Sequence, residues 1–432
     1  VSLLMTPSDR MAGLLRLMAG NRHQALGEKL VNGTHVLDGL WEDPAQDRDR
    51  AERRRPKVCV VGSGWQFTSG ISYYTCRLTT ALSQDFSTSA LLMRRLVPRS
   101  LYPGRDRVGV PVNELSYPPD VPVFDGLDWY WIPSVVKAVR FLRAERPEVI
   151  VLQWWTGAVL HSYLAIAAVA RSIGATLVIE FHEIQDTGEA KFRGASGYLQ
   201  RLGNRLVRKA DGYVVHSDFD LKRVRSTFPV DSKPVRIVPH GPFDHHTGER
   251  PLPDPATPRR TRILFFGTIR PYKGLETLVE AFDALPEDIA ATMELMVVGE
   301  TWEGWTLPLE MMERSPRRSQ MTLVNRYVHD EEVAGFFAAA DVVALPYKRS
   351  SASGPLHIAM SYGLPVVLTE VGGLREGAEG YQGISWAPPA DVQGLSDALI
   401  AASGRVGERF ADPRSWSHTV EVYDDLFADL RP

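Results

Sequence analysis

The chain has 432 residues, 44% of them apolar and 23% charged, with a net charge of −3. That is ordinary globular composition, too long for one ordinary domain, and it excludes a nucleic-acid binder built on overall positive charge. Its two cysteines, Cys59 in a strand-like run and Cys76 in a helix-like run, read as small core residues and argue against a disulfide framework.

Residues 1–41 read as a short helical appendage, and the segment MAGLLRLMAG, interrupted by Arg16, has no cleavable signal pattern. No apolar run approaches membrane-spanning length, so the expectation is a cytoplasmic protein with room for peripheral contact at the inner face of a membrane. Residues 42–56 carry ten charges in 15 positions and read as a solvated linker. At KVCVVGSG a continuous apolar strand then ends in glycines. Strands follow at 87–95, 147–155, 175–183, 212–217 and 235–241, with helical patterns at 70–84, 134–145, 157–172 and 196–209 between them. Near-continuous apolar strands separated by helices predict a parallel sheet covered on both faces. A Pro-rich, apolar-poor break at 244–261 reads as an interdomain linker. The pattern then restarts, with strands at 262–268, 293–300, 321–328, 341–347 and 365–370 and helices between them. Two such units would bind ligands beyond their strand C-termini, in a cleft between domains.

Four stretches carry chemical content. GSGWQFTSG (62–70) is a glycine-rich turn between a strand and a helix, which suits phosphate but is not G-x-G-x-x-G. The second strand ends in Met93–Arg94–Arg95, without the acid that would hold an NAD ribose; an arginine there keeps an NADP reading open. FFGTIRPYKGLETLVEAF (265–282) puts Arg270 and Lys273 in a loop at a strand end, before a helix, as a fork and a point charge for a diphosphate. EFHEIQDTGE (180–189) places His182 beyond an apolar strand among Glu180, Glu183 and Asp186, open to metal, acid/base or substrate contact; no second histidine stands beside it at ligand spacing. HGPFDHH (240–246) reads as interdomain loop rather than metal cluster. The fourth, RSSASGPLHIAMSYGLPVVLT (349–369), is a Ser–Gly turn feeding a helix whose first turn offers N–H groups and a positive dipole end to an anion. His357 in that helix reads as a surface histidine.

In their order and spacing these segments resemble glycosyltransferase family 4 over roughly residues 57–430. The resemblance rests on FFGTIRPYKGLETLVEAF, the VVGE strand end, YVHDEEVAGFFAAADVVALPY and SGPLHIAMSYGLPVVLTEVGG. It implies the α/β GT-B fold: two Rossmann-like domains whose parallel sheets face each other across a cleft. The acceptor-side domain would span 57–243, the linker 244–261, the nucleotide-sugar domain 262–412, and a last helix, 413–432, would pack back across both. It implies a retaining, metal-independent transfer of a sugar from a nucleoside-diphosphate sugar to a hydroxyl, without a cofactor. The acceptor would be a glycan or lipid-linked molecule, and no nucleic acid is involved.

Residue by residue, the resemblance puts Gly70 near the donor phosphates, His182 on the donor sugar, and Lys273 on the diphosphate. The family's arginine falls five or six positions before that lysine. Here Thr268 holds the position five before, and Arg270 stands only three before. Tyr327 and Val328 match the segment that reads the base, Glu300 lines the same pocket, and Ser353, Gly354, Pro355 and Leu356 form the phosphate-side turn. The family's Glu-x(7)-Glu signature falls on Ser350 and Ile358, so both carboxylates are missing. Each lost carboxylate–hydroxyl bond is worth roughly 1.5–3 kcal/mol. A non-catalytic nucleotide-sugar binder and an NADP-dependent oxidoreductase remain as alternatives. RRLVPRSLYPGRDR (94–107), with five arginines, reads as a solvated loop or as a surface for an anionic or lipid-linked acceptor.

Overall fold

A computed structural model describes residues 55–65, 70–94, 116–128, 130–182, 195–230, 232–244, 259–301, 304–350 and 352–431. The appendage, the charged run up to residue 54, residues 66–69 of the glycine-rich turn, Glu183, Asp186, His245, His246 and the arginine-rich loop beyond Arg94 lie outside the described residues.

Strands β1 (Val58–Ser63), β2 (Thr88–Met93), β3 (Val123–Leu127), β4 (Val149–Trp154), β5 (Thr176–Phe181), β6 (Gly212–Val215) and β7 (Val235–Ile237) form one sheet in the order β3-β2-β1-β4-β5-β6-β7. Strands β8 (Thr261–Phe266), β9 (Met293–Val298), β10 (Met321–Val324), β11 (Val342–Leu345), β12 (Val366–Thr369) and β13 (Ile384–Ala387) form a second, in the order β10-β9-β8-β11-β12-β13. Neighbours in both sheets pair in parallel. In each sheet the chain starts at the centre, winds outward one way, then returns to wind the other. This opens a switch point between β1 and β4 and another between β8 and β11, where ligands of such sheets sit. Every residue of β1, β2 and β4 is buried, which is why these segments read as unbroken apolar runs.

The helices among the described residues are α1 (Gly70–Ser83), α2 (Ile132–Glu145), α3 (Leu160–Ile173), α4 (Ala195–Val207), α5 (Asp218–Thr227), α6 (Leu275–Asp283), α7 (Glu287–Ala290), α8 (Leu307–Arg314), α9 (Asp330–Ala339), α10 (Gly354–Ser361), α11 (Leu374–Gly377), α12 (Val392–Ser403) and α13 (Trp416–Asp429). Helix α13 returns to the first sheet, where Val420, Tyr423, Leu426 and Phe427 pack with Val58, Val60, Tyr74 and Leu78. Ser415 caps its start by accepting from the His418 N–H at 3.2 Å. The Trp416 ring lies so close to Gly241 that a Cβ added there would fall 2.6 Å from it.

The structure corrects several strand boundaries. The strand expected over 321–328 stops at Val324, because Asn325 turns its side-chain oxygen to the Thr301 N–H at 2.9 Å. The strand expected over 235–241 stops at Ile237, two residues before Pro239, which cannot donate to a ladder. Edge strands β3 and β13 escaped the periodicity reading: VFDGL carries an aspartate and a glycine, and ISWA is only four residues long.

Helix α5 carries a pH-dependent load. Asp220 is 6% exposed in its first turn, and burial pushes its carboxyl up to about 6 despite the hydrogen bond from Ser217. The folded state therefore prefers the neutral acid. This contribution is fully present below the ordinary value of 3.8 and is lost as pH rises through about 6. Asp220→Asn keeps an acceptor for the Ser217 hydroxyl and removes the buried charge. It should raise stability by about 1–2 kcal/mol at pH 7.5 and by much less at pH 4, read from denaturant melts at both pH values. Equal gains at both pH values would refute the assignment.

Candidate functional site

The half of the site on the second sheet is built by glycines at strand ends. Beyond β8, Gly267 (φ 121) approaches Gly299 (φ 148) so closely that a Cβ on Gly299 would sit 2.0 Å from the Gly267 carbonyl oxygen. Between them the Ile269 N–H donates to the Glu300 carbonyl at 2.8 Å, which fixes the loop carrying Thr268. Arg270 then precedes a single 3-10 turn, Pro271–Lys273, closed by Gly274 in the left-handed region (φ 67). The Lys348 N–H donates to the Tyr272 carbonyl at 2.8 Å, tying this loop to the exit of β11. Lys273 is thus held at the β8/β11 switch point, 9% exposed, with Nζ 3.7 Å from the centre of the Tyr347 ring.

Helix α10 begins beside this loop, and a Cβ on Gly267 would lie 3.8 Å from Pro355. Ser353 is its N-cap: the hydroxyl accepts from the Leu356 N–H at 3.3 Å, and the Ser353 carbonyl takes the His357 N–H. Pro355 has no N–H. The turn's capacity for an anion therefore narrows to the N–H groups of Ser353 and Gly354 together with the helix dipole.

The two positions lacking carboxylates have their own occupations. The Ser350 hydroxyl donates to the Ala352 carbonyl at 2.7 Å. The Ser350 carbonyl is pinned under Gly372, where a Cβ would fall 1.8 Å from it. Ile358 is 6% exposed inside an apolar cluster with Leu345, Tyr347 and Leu356. Tyr327 and Val328 follow β10; the Tyr327 carbonyl accepts from Arg326 at 3.1 Å, and Val328 is 7% exposed.

The first sheet supplies the other half. Gly70 opens α1, and Phe243 comes between it and the second sheet. A Cβ on Gly70 would lie 3.6 Å from the Phe243 ring, and one on Gly354 would lie 3.9 Å from the same ring. The first residues of α1 and α10 thus converge on one aromatic side chain. His182, next to the end of β5, belongs to a buried polar network. Its Nε2 is 3.4 Å from a Glu180 oxygen, and its Nδ1 is 3.0 Å from Nε2 of His216. Glu180 is fully buried and accepts from the Tyr74 hydroxyl at 2.7 Å and the Gln153 amide at 3.0 Å. Burial pushes the Glu180 carboxyl up, but His182, His216 and the Tyr74 hydroxyl outweigh it and hold it down at about 2. Burial, with the neighbouring His182, pulls His216 down to about 4.

Two sequence expectations need correction here. His357 is not a surface histidine: it is 3% exposed, hydrogen-bonded to Arg414 and stacked on Phe243. Burial, then Arg414, drives its imidazole well below the ordinary value. His182 does have histidine neighbours, His216 and His240, which no local spacing announces. No local spacing in the sequence singles out His216 or Arg414. The available signal is positional: His182 and His216 each follow a strand directly, and the strands are adjacent. Extending the register Glu180↔Val214 by two residues sets His182 opposite His216.

Comparison with known proteins follows the same division. Residues 69–241 match the family model described as Glycosyl transferase 4-like domain, and residues 260–403 match the one described as Glycosyl transferases group 1. A D-inositol 3-phosphate glycosyltransferase of Xylanimonas cellulosilytica is 29% identical over 252 residues, 52% of this chain and 58% of the relative. The chain thus spans a little over half the length of that relative. The O-antigen chain mannosyltransferase B of Escherichia coli is 31% identical over 139 residues, 32% of this chain and 35% of that protein. Among solved structures, a sucrose-phosphate synthase from Thermosynechococcus elongatus superposes with a TM-score of 0.58 at 16% identity, covering 87% of this chain and 95% of that one. HepE of Anabaena, solved with UDP-glucose, gives 0.55 at 16% identity over 87% and 99% of the two chains. With one model ending at the last residues before the crossover and the other opening on β8, the chain belongs to glycosyltransferase family 4 and has the GT-B fold.

Proposed function

We propose that the protein transfers a sugar from a nucleoside-diphosphate sugar to a hydroxyl acceptor, with retention at the anomeric carbon. The observation that carries this reading is the convergence of the Arg270–Lys273 loop, the start of α10 and, across Phe243, the start of α1. A buried ammonium and a helix N-terminus at a switch point make a fitting receptor for a diphosphate. In the reaction the bond from the anomeric carbon to the diphosphate oxygen breaks, and the acceptor oxygen bonds to the same face. The acceptor proton passes to the departing phosphate. Lys273, Arg270 and the N–H groups of Ser353 and Gly354 stabilise the growing negative charge by fixed electrostatics, without a metal ion on the diphosphate. His182 positions the sugar, and Glu300, Thr268, Tyr327 and Val328 line the nucleoside end.

One relative is named for D-inositol 3-phosphate and another for an O-antigen chain, and this chain's acceptor is proposed to be a glycan or a lipid-linked molecule reached by peripheral membrane contact. No helix among the described residues is long and apolar enough to cross a membrane. The occupied positions of Ser350 and Ile358 favour a second reading, a nucleotide-sugar binder without transfer. A thermal-shift screen against UDP, GDP, ADP, TDP and NADPH tests the donor site that both readings share, and a turnover assay with the matching nucleotide sugar separates them. A saturable rise of several degrees with one nucleoside diphosphate is expected. A response to NADPH alone would overturn the donor reading. Donor binding without transfer or slow donor hydrolysis would establish the binder.

A further inference from the structure

The chain brings three imidazoles together at consecutive strand ends. His182 follows β5, His216 follows β6 and His240 lies three residues past β7, and one ring nitrogen of each falls within 4.8 Å of the others. Each is oriented differently. The Nδ1–H of His216 donates to the Val238 carbonyl at 2.8 Å, which leaves its Nε2 lone pair facing His182. His182 Nδ1 and His216 Nε2 are hydrogen-bonded at 3.0 Å with His182 as donor; a metal ion would take the place of that proton, leaving His182 its proton on Nε2, which faces Glu180 at 3.4 Å. Glu180 is itself fixed by Tyr74 and Gln153, so it supports His182 from behind. His240 stacks on His216 with ring centres 3.9 Å apart, and its Nδ1 is buried without a hydrogen-bond partner. The ring of Tyr74 closes the cluster edge-on, with centres 4.7, 5.5 and 4.9 Å from His182, His216 and His240.

From this arrangement we propose that His182, His216 and His240 form a binding site for one divalent transition-metal ion, with zinc as the best fit. Three neutral imidazoles suit zinc, and a backbone carbonyl and a carboxylate behind them are the usual supports of metal-ligating histidines. In a tetrahedral zinc shell, ligand nitrogens lie ~3.3 Å apart and each lone pair lies in its ring plane, so loading requires His240 to turn out of its stack on His216 and bring a ring nitrogen to the ion. The fourth ligand is water. A cavity of about 20 Å³ opens beside His216 and His240 toward Ser353, Leu356 and His357, which is room for one water molecule. Arg414 also lines this cavity and is paired with Asp412 at 3.0 Å. Because His240 lies on the segment leaving the first sheet, the ion would fix this crossover to the ends of β5 and β6.

The test uses the full chain stripped of metal, with zinc and cobalt(II) as probes and no nucleotide. One equivalent of zinc should bind, and cobalt should give the intense visible bands of a four-coordinate ion. His216→Ala and His240→Ala should each lose the site, while Glu180→Gln should weaken it by roughly 10- to 100-fold. His161→Ala, at a half-buried ring bonded to Tyr198, should bind as the unaltered protein does, and so should a His245→Ala/His246→Ala double variant. X-ray absorption of the zinc-loaded unaltered protein needs no variant and should report three imidazole nitrogens at ~2.0 Å and one oxygen. No stoichiometric binding, an oxygen-only shell, or binding retained in His216→Ala and His240→Ala overturns the site. Failure here leaves the transfer reading standing, because no donor or acceptor takes part; success would occupy both His182 nitrogens, Nε2 with Glu180 and Nδ1 with the ion, and would withdraw His182 alone from the sugar.

Discussion

Replacing Lys273 with methionine should lower turnover roughly 10²- to 10³-fold while leaving the fold intact. Lys273 is 9% exposed at the β8/β11 switch point, on a loop held at both ends by backbone contacts rather than by the lysine itself. Its contact with the Tyr347 ring, 3.7 Å to the centre, contributes on the order of 1 kcal/mol. Methionine keeps most of the stem, and its sulfur makes a comparable contact with the ring. The melting temperature without ligand should therefore change little. What disappears is the positive charge facing a leaving diphosphate, whose demand for it grows as the glycosidic bond breaks. The nucleoside-diphosphate thermal shift should shrink as well, by less than turnover does, because the transition state carries more charge on those oxygens than the ground state. Full turnover in Lys273→Met would sink the clamp assignment. Loss of turnover together with a collapsed melting temperature would reassign Lys273 to the fold.

Much of the frame was legible because its physics is local. Buried parallel strands need unbroken apolar runs, so β1, β4 and β8 stand out in the sequence, and glycines at the ends of β1 and β8 mark where the backbone must turn tightly. The same locality sets the limit. Val123–Leu127 and Ile384–Ala387 are edge strands supported by one neighbour each, and neither carries enough apolar residues to announce itself. His357 sits on a helix that packs apolar side chains on one face and meets the crossover on the other, so helical periodicity gives no warning that Arg414 and Phe243 enclose it. The cluster of His182, His216 and His240 depends on strand order and register, which place distant residues at one height. A search for ligand spacing along the chain looks in the wrong dimension for such a site. The Ser–Gly turn shows the converse: its place in the chain raises the expectation of an anion there, but only the structure shows that Leu356 has spent its N–H on Ser353.

The second large effect is expected from Gly274→Ala, and a matched glycine isolates its cause. Gly274 (φ 67) and Gly174 (φ 74) both occupy the left-handed region, so alanine at either position costs about 1–2 kcal/mol in backbone strain. Their surroundings differ. A Cβ on Gly174, at the end of α3, meets nothing within 4 Å, whereas one on Gly274 would lie 2.0 Å from the Pro346 carbonyl oxygen. That oxygen belongs to the backbone leaving β11, and it can retreat only if the loop bearing Lys273 separates from Tyr347 and Lys348. Gly274→Ala should therefore destabilise by about 1–3 kcal/mol more than Gly174→Ala, an overpacking cost added to the shared strain. Its second consequence is local. With Lys273 displaced, the nucleoside-diphosphate thermal shift should vanish in Gly274→Ala and persist at full size in Gly174→Ala, measured against each variant's own baseline. Equal destabilisation of the two variants would mean that the loop yields without cost. A full ligand shift in Gly274→Ala would mean that the diphosphate is held elsewhere than at this strand end.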